Sequence, residues 1–222
     1  MSRILVLAVH PDDETLGCGG TLLKHKASGD EIYWLIATCI EEEDGFSSEK
    51  IIEREKEIEK VSEQYGFNRV MSLGVPTMKA DRLPMQELVA RIAKIVDEIK
   101  PEIIYLPFME DIHSDHRLLF EAAYSCTKTF RYPFIKKVLM METVSETELV
   151  PVVKDSVFMP NHFVDISDFL SKKLEIMKIF KSESGKHPFP RGEENVKALA
   201  TFRGAMAGCN FAESFMILKE IW

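Results

Sequence analysis

Two short clusters of imidazole and carboxylate side chains, residues 10–14 and 111–116, are the parts of this sequence most suited to chemistry. The first cluster reads HPDDE and the second reads DIHSDH. Borderline metals such as zinc take nitrogen and oxygen ligands of these types, and a catalytic zinc needs three protein ligands and an open position. His10, Asp13 and His116 would provide such a set for Zn²⁺, with Fe²⁺ or another divalent ion as the alternative.

Residues next to these ligands have the side chains that a metal-assisted hydrolysis requires. Asp12 adjoins Asp13 and is a candidate general base for a water molecule. His113 is a candidate to stabilise or protonate a tetrahedral intermediate, with Asp115 orienting its other ring nitrogen. Either cluster taken alone is also compatible with an ordinary turn, because Pro and Asp favour turns and Asp favours the first turn of a helix.

Both clusters directly follow apolar runs, 3–9 and 102–108, that predict buried strands. Further strands are predicted at 31–38, 69–75 and 136–143, and helices at 19–29, 48–66, 85–100, 114–130, 167–183 and 195–206. This alternation predicts an α/β fold, a three-layer sandwich with a mostly parallel sheet and helices on both faces. Ligands bind beyond the carboxyl ends of the strands in such sheets, which is where both clusters lie.

The chain of 222 residues is expected to form a single domain, 1–222. The part from about 144 is expected to complete the fold and cap the site. The formal net charge of −8 argues against a nucleic-acid partner. No apolar stretch reaches membrane-spanning length and no signal-peptide pattern precedes the first strand, so we expect a cytoplasmic protein. The scattered cysteines predict reduced thiols.

The segment AVHPDDETLGCGGTLLKH, 8–25, resembles the N-acetylglucosaminyl-phosphatidylinositol de-N-acetylase family, also called PIG-L or LmbE-like deacetylases. HSDH at 113–116 matches the second motif of that family, and short segments near the C-terminus match weakly. The resemblance implies a Rossmann-like fold, a zinc ion, and hydrolysis of the acetamide of an N-acetylglucosamine-type sugar conjugate to acetate and free amine. It implies the metal and catalytic roles given above, and a substrate contact for Arg54.

Two further residues are candidates to bind the substrate. Glu142 ends the strand 136–143 and is placed to accept hydrogen bonds from sugar hydroxyls. Arg191 lies in the loop 185–194, which could close over a pocket. The acidic loop at 41–43 departs from the family pattern and leaves the sugar conjugate unidentified.

Two other classes of function compete with the hydrolase. Two histidines and a carboxylate also form the metal site of non-haem iron oxygenases, although those usually have a different scaffold. A non-catalytic module that binds a sugar or nucleotide is the second alternative. Association into a homo-oligomer is possible for each of these functions.

Overall fold

The computed structural model describes residues 1–153 and 156–222. Its strands are β1 Arg3–Ala8, β2 Glu31–Cys39, β3 Arg69–Pro76, β4 Ile103–Leu106, β5 Lys137–Met141, β6 His162–Asp165 and β7 Ala212–Glu220. They form one sheet in the order β3-β2-β1-β4-β5-β7-β6. Strands β1 to β5 pair in parallel, whereas β7 is antiparallel to β5 and β6. The prediction of a mostly parallel sheet is confirmed.

Helices cover both faces of this sheet. They are α1 Asp13–Ala27, α2 Ser48–Tyr65, α3 Met85–Ile99, α4 Ser114–Ser125, α5 Leu170–Met177 and α6 Glu193–Ala207. α3 and α4 contribute to one hydrophobic core, and the other four helices contribute to a second core on the opposite face. The predicted three-layer α/β architecture is therefore confirmed.

Strand β1 lies in the middle of the sheet and supplies both cores. Leu5 and Leu7 belong to one core, and Ile4 and Val6 belong to the other. Successive side chains of a strand point to opposite faces, so a strand covered by helices on both faces reads as an uninterrupted apolar run. β1 pairs with β2 on one side and with β4 on the other, which places the carboxyl ends of β1 and β4 side by side.

The predicted helix boundaries were less accurate than the strands. α1 begins at Asp13 instead of 19, so the glycine-rich stretch belongs to the helix. A Cβ added at Gly17 would lie 2.7 Å from Met141 Sδ, and one at Gly20 would lie 2.7 Å from Ile166 Cγ2. These glycines allow close packing, although glycine disfavours helix formation. α4 and α5 are shorter than predicted, and α6 begins slightly earlier.

The C-terminal region contributes more to the sheet than we predicted. No strand was predicted after residue 143, but β6 and β7 extend the sheet beyond β5. The first four residues of β7 are buried and the next four are half-buried, so its sequence lacks the alternation that indicates a strand. The boundaries of the predicted domain stay a prediction.

Glu213 joins β7 to a kink in α1 by hydrogen bonds and forms a buried ion pair with Lys173 of α5. The backbone of α1 departs from helical geometry at Cys18, and the N–H groups of Gly20 and Thr21 donate to the Glu213 carboxylate at 2.8 and 2.7 Å. Lys173 Nζ lies 2.7 Å from Glu213 Oε1 and donates to the Leu16 carbonyl. The kink is thus stabilised by residues that are distant in the sequence.

Within residues 1–153 and 156–222, no helix has both the length and the apolar composition that crossing a membrane requires. All four cysteines are free thiols, as expected.

We expect the substitution Glu213→Ala to lower the free energy of unfolding by about 3–5 kcal/mol, because it leaves a buried ammonium group and two buried N–H groups without their acceptor. Denaturant unfolding followed by circular dichroism measures this change. Glu220 on the same strand pairs with Lys137 at 2.8 Å but is 43% exposed, so Glu220→Ala is the matched control and should change stability little. Equal losses in the two variants would contradict the role given to the buried pair.

Candidate active site

The two polar clusters meet at the carboxyl ends of β1 and β4. His10 follows β1 and Asp13 opens α1, while His116 lies in the first turn of α4, after β4. The parallel pairing of β1 with β4 brings these two loops to the same edge of the sheet. The structure therefore brings together the three residues that the sequence suggested as metal ligands.

The donor atoms of these three residues form a nearly regular triangle. His116 Nε2 lies 3.3 Å from His10 Nδ1 and 3.3 Å from Asp13 Oδ2. His10 Nδ1 and Asp13 Oδ2 are 3.8 Å apart. Ligands about 2.1 Å from a tetrahedral ion would be separated by about 3.4 Å. The residues present therefore fit a divalent ion of the size of zinc. Three protein ligands would leave the fourth position of a tetrahedral ion for water or substrate.

Hydrogen bonds hold two of the three side chains in this arrangement. The backbone N–H of His10 donates to Asp13 Oδ2 at 2.8 Å. His116 Nδ1 lies 2.8 Å from Asp111 Oδ2, and the Thr147 hydroxyl donates to Asp111 Oδ1 at 2.7 Å. A carboxylate behind a histidine fixes its ring and directs its other nitrogen toward a metal. No role was predicted for Asp111, although its position five residues before His116, in the same polar cluster, was a usable signal.

The charges around the triangle favour a bound cation. Burial lowers the pKa of His116, but the carboxylates of Asp13 and Asp111 outweigh burial and raise it well above the ordinary value. Burial raises the pKa of Asp13, but His116 and His10 outweigh that effect and lower it. Burial lowers the pKa of His10 to about 3, so this ring is neutral and able to coordinate at neutral pH. A divalent ion would replace the proton that His116 otherwise carries.

Asp12 lies beside the triangle in a strained and buried position. Its φ is 142°, a conformation that non-glycine residues rarely adopt, and its side chain is 1% exposed. Arg191 Nη1 donates to its Oδ2 at 2.7 Å. Burial, followed by the charge of Asp13, raises the pKa of Asp12, and Arg191 opposes this rise. The structure thus places the predicted general base next to the predicted ligands.

His113 lies over His10, with ring centroids 4.5 Å apart, but its contact with Asp115 differs from the predicted one. The backbone N–H of Asp115 donates to His113 Nδ1 at 3.2 Å. The Asp115 carboxylate instead accepts from the N–H groups of Met78, at 2.6 Å, and Ala80. We correct the expected carboxylate–imidazole contact accordingly: the start of α4 orients the ring through its backbone, and the carboxylate anchors the loop after β3.

His10, His113 and Asp115 form a second group of potential metal donors. The hydrogen bond that His113 Nδ1 accepts and the two that the Asp115 carboxylate accepts already use donor atoms of this group. We therefore favour the set with His116 as the metal site.

Arg191 connects the site to two loops, one that carries Ser145 and Glu146 and one that carries Glu183. Besides Asp12, its side chain contacts Ser145 at 2.7 Å, Glu183 at 3.0 Å and Glu146 at 3.4 Å. Oε2 of Glu146 is buried and has no hydrogen-bond partner among the residues that the structure describes. Burial raises the pKa of Glu146 to about 7. No local pattern indicated a role for Glu146 or Glu183, because both lie in irregular segments.

A cavity of about 710 Å³ opens from these residues. Its polar end contains His10, Asp12, His113, Glu146 and Arg191. From there it extends between α2 and the strands β2 and β3. Cavities of 300–1,000 Å³ are typical of small-molecule sites, so the volume suits a substrate larger than one acetamide group.

Arg54 lines this cavity, but its guanidinium group is largely occupied by protein contacts. It donates to the carbonyl of Pro11 at 3.0 Å, to the hydroxyl of Ser182 at 3.0 Å and to Glu183 at 2.5 Å. It also lies 3.5 Å from Glu57. These contacts make Arg54 a support of the loop that carries Asp12, and its predicted contact with substrate stays a prediction.

Glu142 lies away from the cavity that holds the metal candidates. Its carboxylate accepts from Arg203 Nε at 2.9 Å and Nη2 at 2.5 Å, and from the Ser214 hydroxyl at 2.7 Å. This placement gives Glu142 a bidentate arginine partner instead of the sugar hydroxyls expected for it. Ser214 belongs to β7, and the sequence did not indicate that this strand lies next to β5.

Comparison with known proteins identifies relatives along the whole chain. A family model described as PIG-L, GlcNAc-PI de-N-acetylase, matches residues 5–127, which include both histidine clusters. The diacetylchitobiose deacetylase of Thermococcus kodakarensis is 24% identical over 230 residues, which cover 100% of this chain and 85% of that protein.

Solved structures with the same fold include proteins with different activities. The conserved protein TT1542 from Thermus thermophilus has a TM-score of 0.79 and 26% identity, covering 100% of this chain and 97% of that one. GalB, the 4-carboxy-2-hydroxymuconate hydratase of Pseudomonas putida, has a TM-score of 0.77 and 16% identity, covering 100% and 98%. Because a hydratase shares the fold, the reaction must be argued from the site.

We expect one Zn²⁺ to bind per chain and to raise the melting temperature by on the order of 5–10 °C at 100 times its dissociation constant. Binding should release protons at pH 7 and weaken as the pH falls, because the ion competes with the proton whose affinity for His116 is raised. Calorimetry in buffers of different ionisation enthalpy measures both effects.

The variants Asp13→Ala and His116→Ala should abolish this binding, and Asp111→Asn should weaken it about 10- to 100-fold. His25 pairs with Asp30 at 2.8 Å away from the cavity, so His25→Ala is the matched control. Binding of equal affinity in the control and in both alanine variants would exclude the proposed ligands.

Proposed function

The chain belongs to the PIG-L, GlcNAc-PI de-N-acetylase, family, and from this we propose that it hydrolyses the acetamide of an N-acetylated amino-sugar conjugate to acetate and free amine. The single observation that carries the proposal is the triangle of His10, Asp13 and His116 beside the buried Asp12 carboxylate. An amide hydrolase needs an electrophilic centre and a base within reach of one water molecule, and this arrangement supplies both.

In this proposal His10, Asp13 and His116 hold the metal, with Asp111 behind His116. The donor set and its spacing favour Zn²⁺, and Fe²⁺ or another divalent ion fits the same donors. When bound, such an ion would polarise the acetyl carbonyl and lower the pKa of an adjacent water.

Asp12 acts as the proton carrier of the reaction. Its carboxylate takes a proton from the attacking water and then transfers it to the nitrogen of the leaving amine. Burial keeps this carboxylate out of bulk solvent and raises its pKa. Arg191, at 2.7 Å, opposes that rise and so favours the ionised form that a base requires. The strained backbone at Asp12 supports a functional reason for its position.

His113 stabilises the oxyanion as a neutral hydrogen-bond donor. The Asp115 N–H donates to Nδ1, so the proton of the neutral ring lies on Nε2. Burial lowers the pKa of His113, which further disfavours the doubly protonated ring. Of the two roles open to His113, this geometry favours stabilising the oxyanion over delivering a proton.

The remaining polar groups of the cavity bind the sugar. Oε2 of Glu146, for which residues 1–153 and 156–222 provide no hydrogen-bond partner, is suited to accept a hydrogen bond from a sugar hydroxyl. Arg191 holds Glu146 and Asp12 in place and lies at the rim of the same cavity. Location in the cytoplasm and association into homo-oligomers stay predictions.

Membership of the family and the presence of the buried Asp12 carboxylate both disfavour the competing functions. A non-haem iron oxygenase would have no use for the buried Asp12 carboxylate, and a non-catalytic binding module would not need it either. Acetate release under anaerobic conditions without a 2-oxoacid separates hydrolysis from oxygenation, and it also separates hydrolysis from the addition of water to a carbon–carbon double bond.

Asp12→Asn is expected to lower kcat for acetate release by about two to four orders of magnitude, because the variant loses the general base while keeping the size of the side chain. Metal affinity should remain within a few-fold of the wild-type value. The measurement is acetate release from a panel of N-acetylglucosamine conjugates by the zinc-loaded protein. Full activity in this variant would remove Asp12 from the mechanism.

Arg191→Met is expected to shift the acid limb of the pH profile of kcat/KM to higher pH. Arg191 lowers the pKa of Asp12, so its removal lets that pKa rise and leaves less ionised base at a given pH. The loss of activity should therefore be larger at low pH than at high pH. Arg203, which pairs with Glu142 at 2.5 Å outside the cavity, supplies the control Arg203→Met. A profile that moves equally in both variants would refute this role of Arg191.

A further inference from the structure

The cavity has an apolar end that the deacetylation chemistry does not use. We name it the apolar arm and define it by Ile36 of β2, Ile51 and Ile58 of α2, and Val70 of β3. These four side chains line the same cavity as His10 and Asp12. The arm is therefore continuous with the candidate active site.

The two halves of helix α2 are buried to different extents, and the arm lies beside the less buried half. Val61 and Tyr65, in its C-terminal half, are fully buried in a hydrophobic core. Ile51 and Ile58, nearer its N-terminus, are only half-buried and line the cavity, and Ile58 also packs against the edge of that core. An apolar side chain that lines a cavity leaves part of its surface in contact with water. An apolar ligand that covers this surface binds more tightly, because apolar area is removed from water.

Polar contacts fasten this half of α2 to neighbouring loops. Arg54 bridges to the Pro11 carbonyl, and Lys181 Nζ lies 2.9 Å from Glu53. The N–H of Lys181 donates to Glu57 at 3.1 Å. These contacts fasten the helix to the loop after α5, so the arm can persist without collapse of the helix onto β2 and β3.

The sheet register gives the depth of the arm. Thr38, at the carboxyl end of β2, lines the cavity near the catalytic end, and Val70 pairs with Trp34 four residues earlier on β2. At about 3.3 Å per residue, the arm reaches roughly 13 Å below the edge of the sheet. An elongated group suits this shape better than a second compact sugar ring.

We propose that the apolar arm binds an elongated apolar group attached to the N-acetylated sugar. The inference rests on the proposed deacetylase function and adds the substrate class, a sugar conjugate with an alkyl or similarly apolar aglycone. Charged residues of α2 also line the cavity, but they do not call for a cationic ligand. Glu57 lies 3.5 Å from Arg54 and accepts from the N–H of Lys181, and Glu53 pairs with the Lys181 ammonium group. Lys50 and Glu55 are exposed to solvent.

The test is acetate release from a series of alkyl β-glycosides of N-acetylglucosamine, from methyl to hexyl, at concentrations below micelle formation. We expect kcat/KM to rise about fourfold for each added methylene, mainly through KM, because each buried methylene contributes a constant transfer free energy. The variant Ile51→Trp fills the arm and should flatten this dependence, judged against its own value with the methyl glycoside.

Ile52, the next residue of α2, is 49% exposed, so Ile52→Trp is the matched control and should keep the wild-type dependence. No dependence on chain length in the wild type, or a higher kcat/KM with diacetylchitobiose than with the hexyl glycoside, would overturn the apolar arm and leave the deacetylase proposal standing. If no glycoside releases acetate, the proposed function fails. Calorimetric affinities for the same series then decide on the arm, and a constant affinity overturns it.

Discussion

The site depends on one constraint, which is the concentration of buried acidic side chains at the carboxyl ends of β1 and β4. Asp12, Asp13, Glu14 and Asp111 are each at most 2% exposed. Burying carboxylates without compensation is costly, so each must find a cation, a hydrogen-bond donor or a proton. Glu14 takes a proton, since burial raises its pKa to about 8. Asp12 takes an arginine, and the remaining charge favours a cation held by the histidines.

This charge balance was partly visible in the sequence and partly hidden. Parallel strands end at one edge of a sheet, so two clusters that each follow a buried strand were expected to meet there. The distance of 3.3 Å between His116 Nε2 and Asp13 Oδ2 agrees with that expectation. The compensating arginine was harder to assign, because Arg191 lies in a loop whose path depends on packing against Glu183 and Ser145. Only its position in a polar loop suggested a role.

The errors of prediction share a physical cause. Glu142 ends a strand at the correct edge, but the antiparallel strand β7 follows β5 in the sheet and carries Ser214, which binds this carboxylate together with Arg203. The sequence of β7 has no clear period because its burial changes along its length. Asp115 was expected to bind His113, yet two backbone N–H groups of the preceding loop compete for its carboxylate. Long-range contacts of this kind leave no local pattern.

The hydrogen bonds between Glu213 of β7 and the kink of α1 also affect how the protein matures during translation. Glu213 lies 193 residues after Gly20, so a ribosome adds it long after α1 has been made. Until it emerges, the N–H groups of Gly20 and Thr21 lack their acceptor, and the helix that begins with Asp13 is incomplete. Chains fold as they are made, from the N-terminus onward. The loop and helix start that carry His10 and Asp13 are therefore fully supported only after β7 has been made.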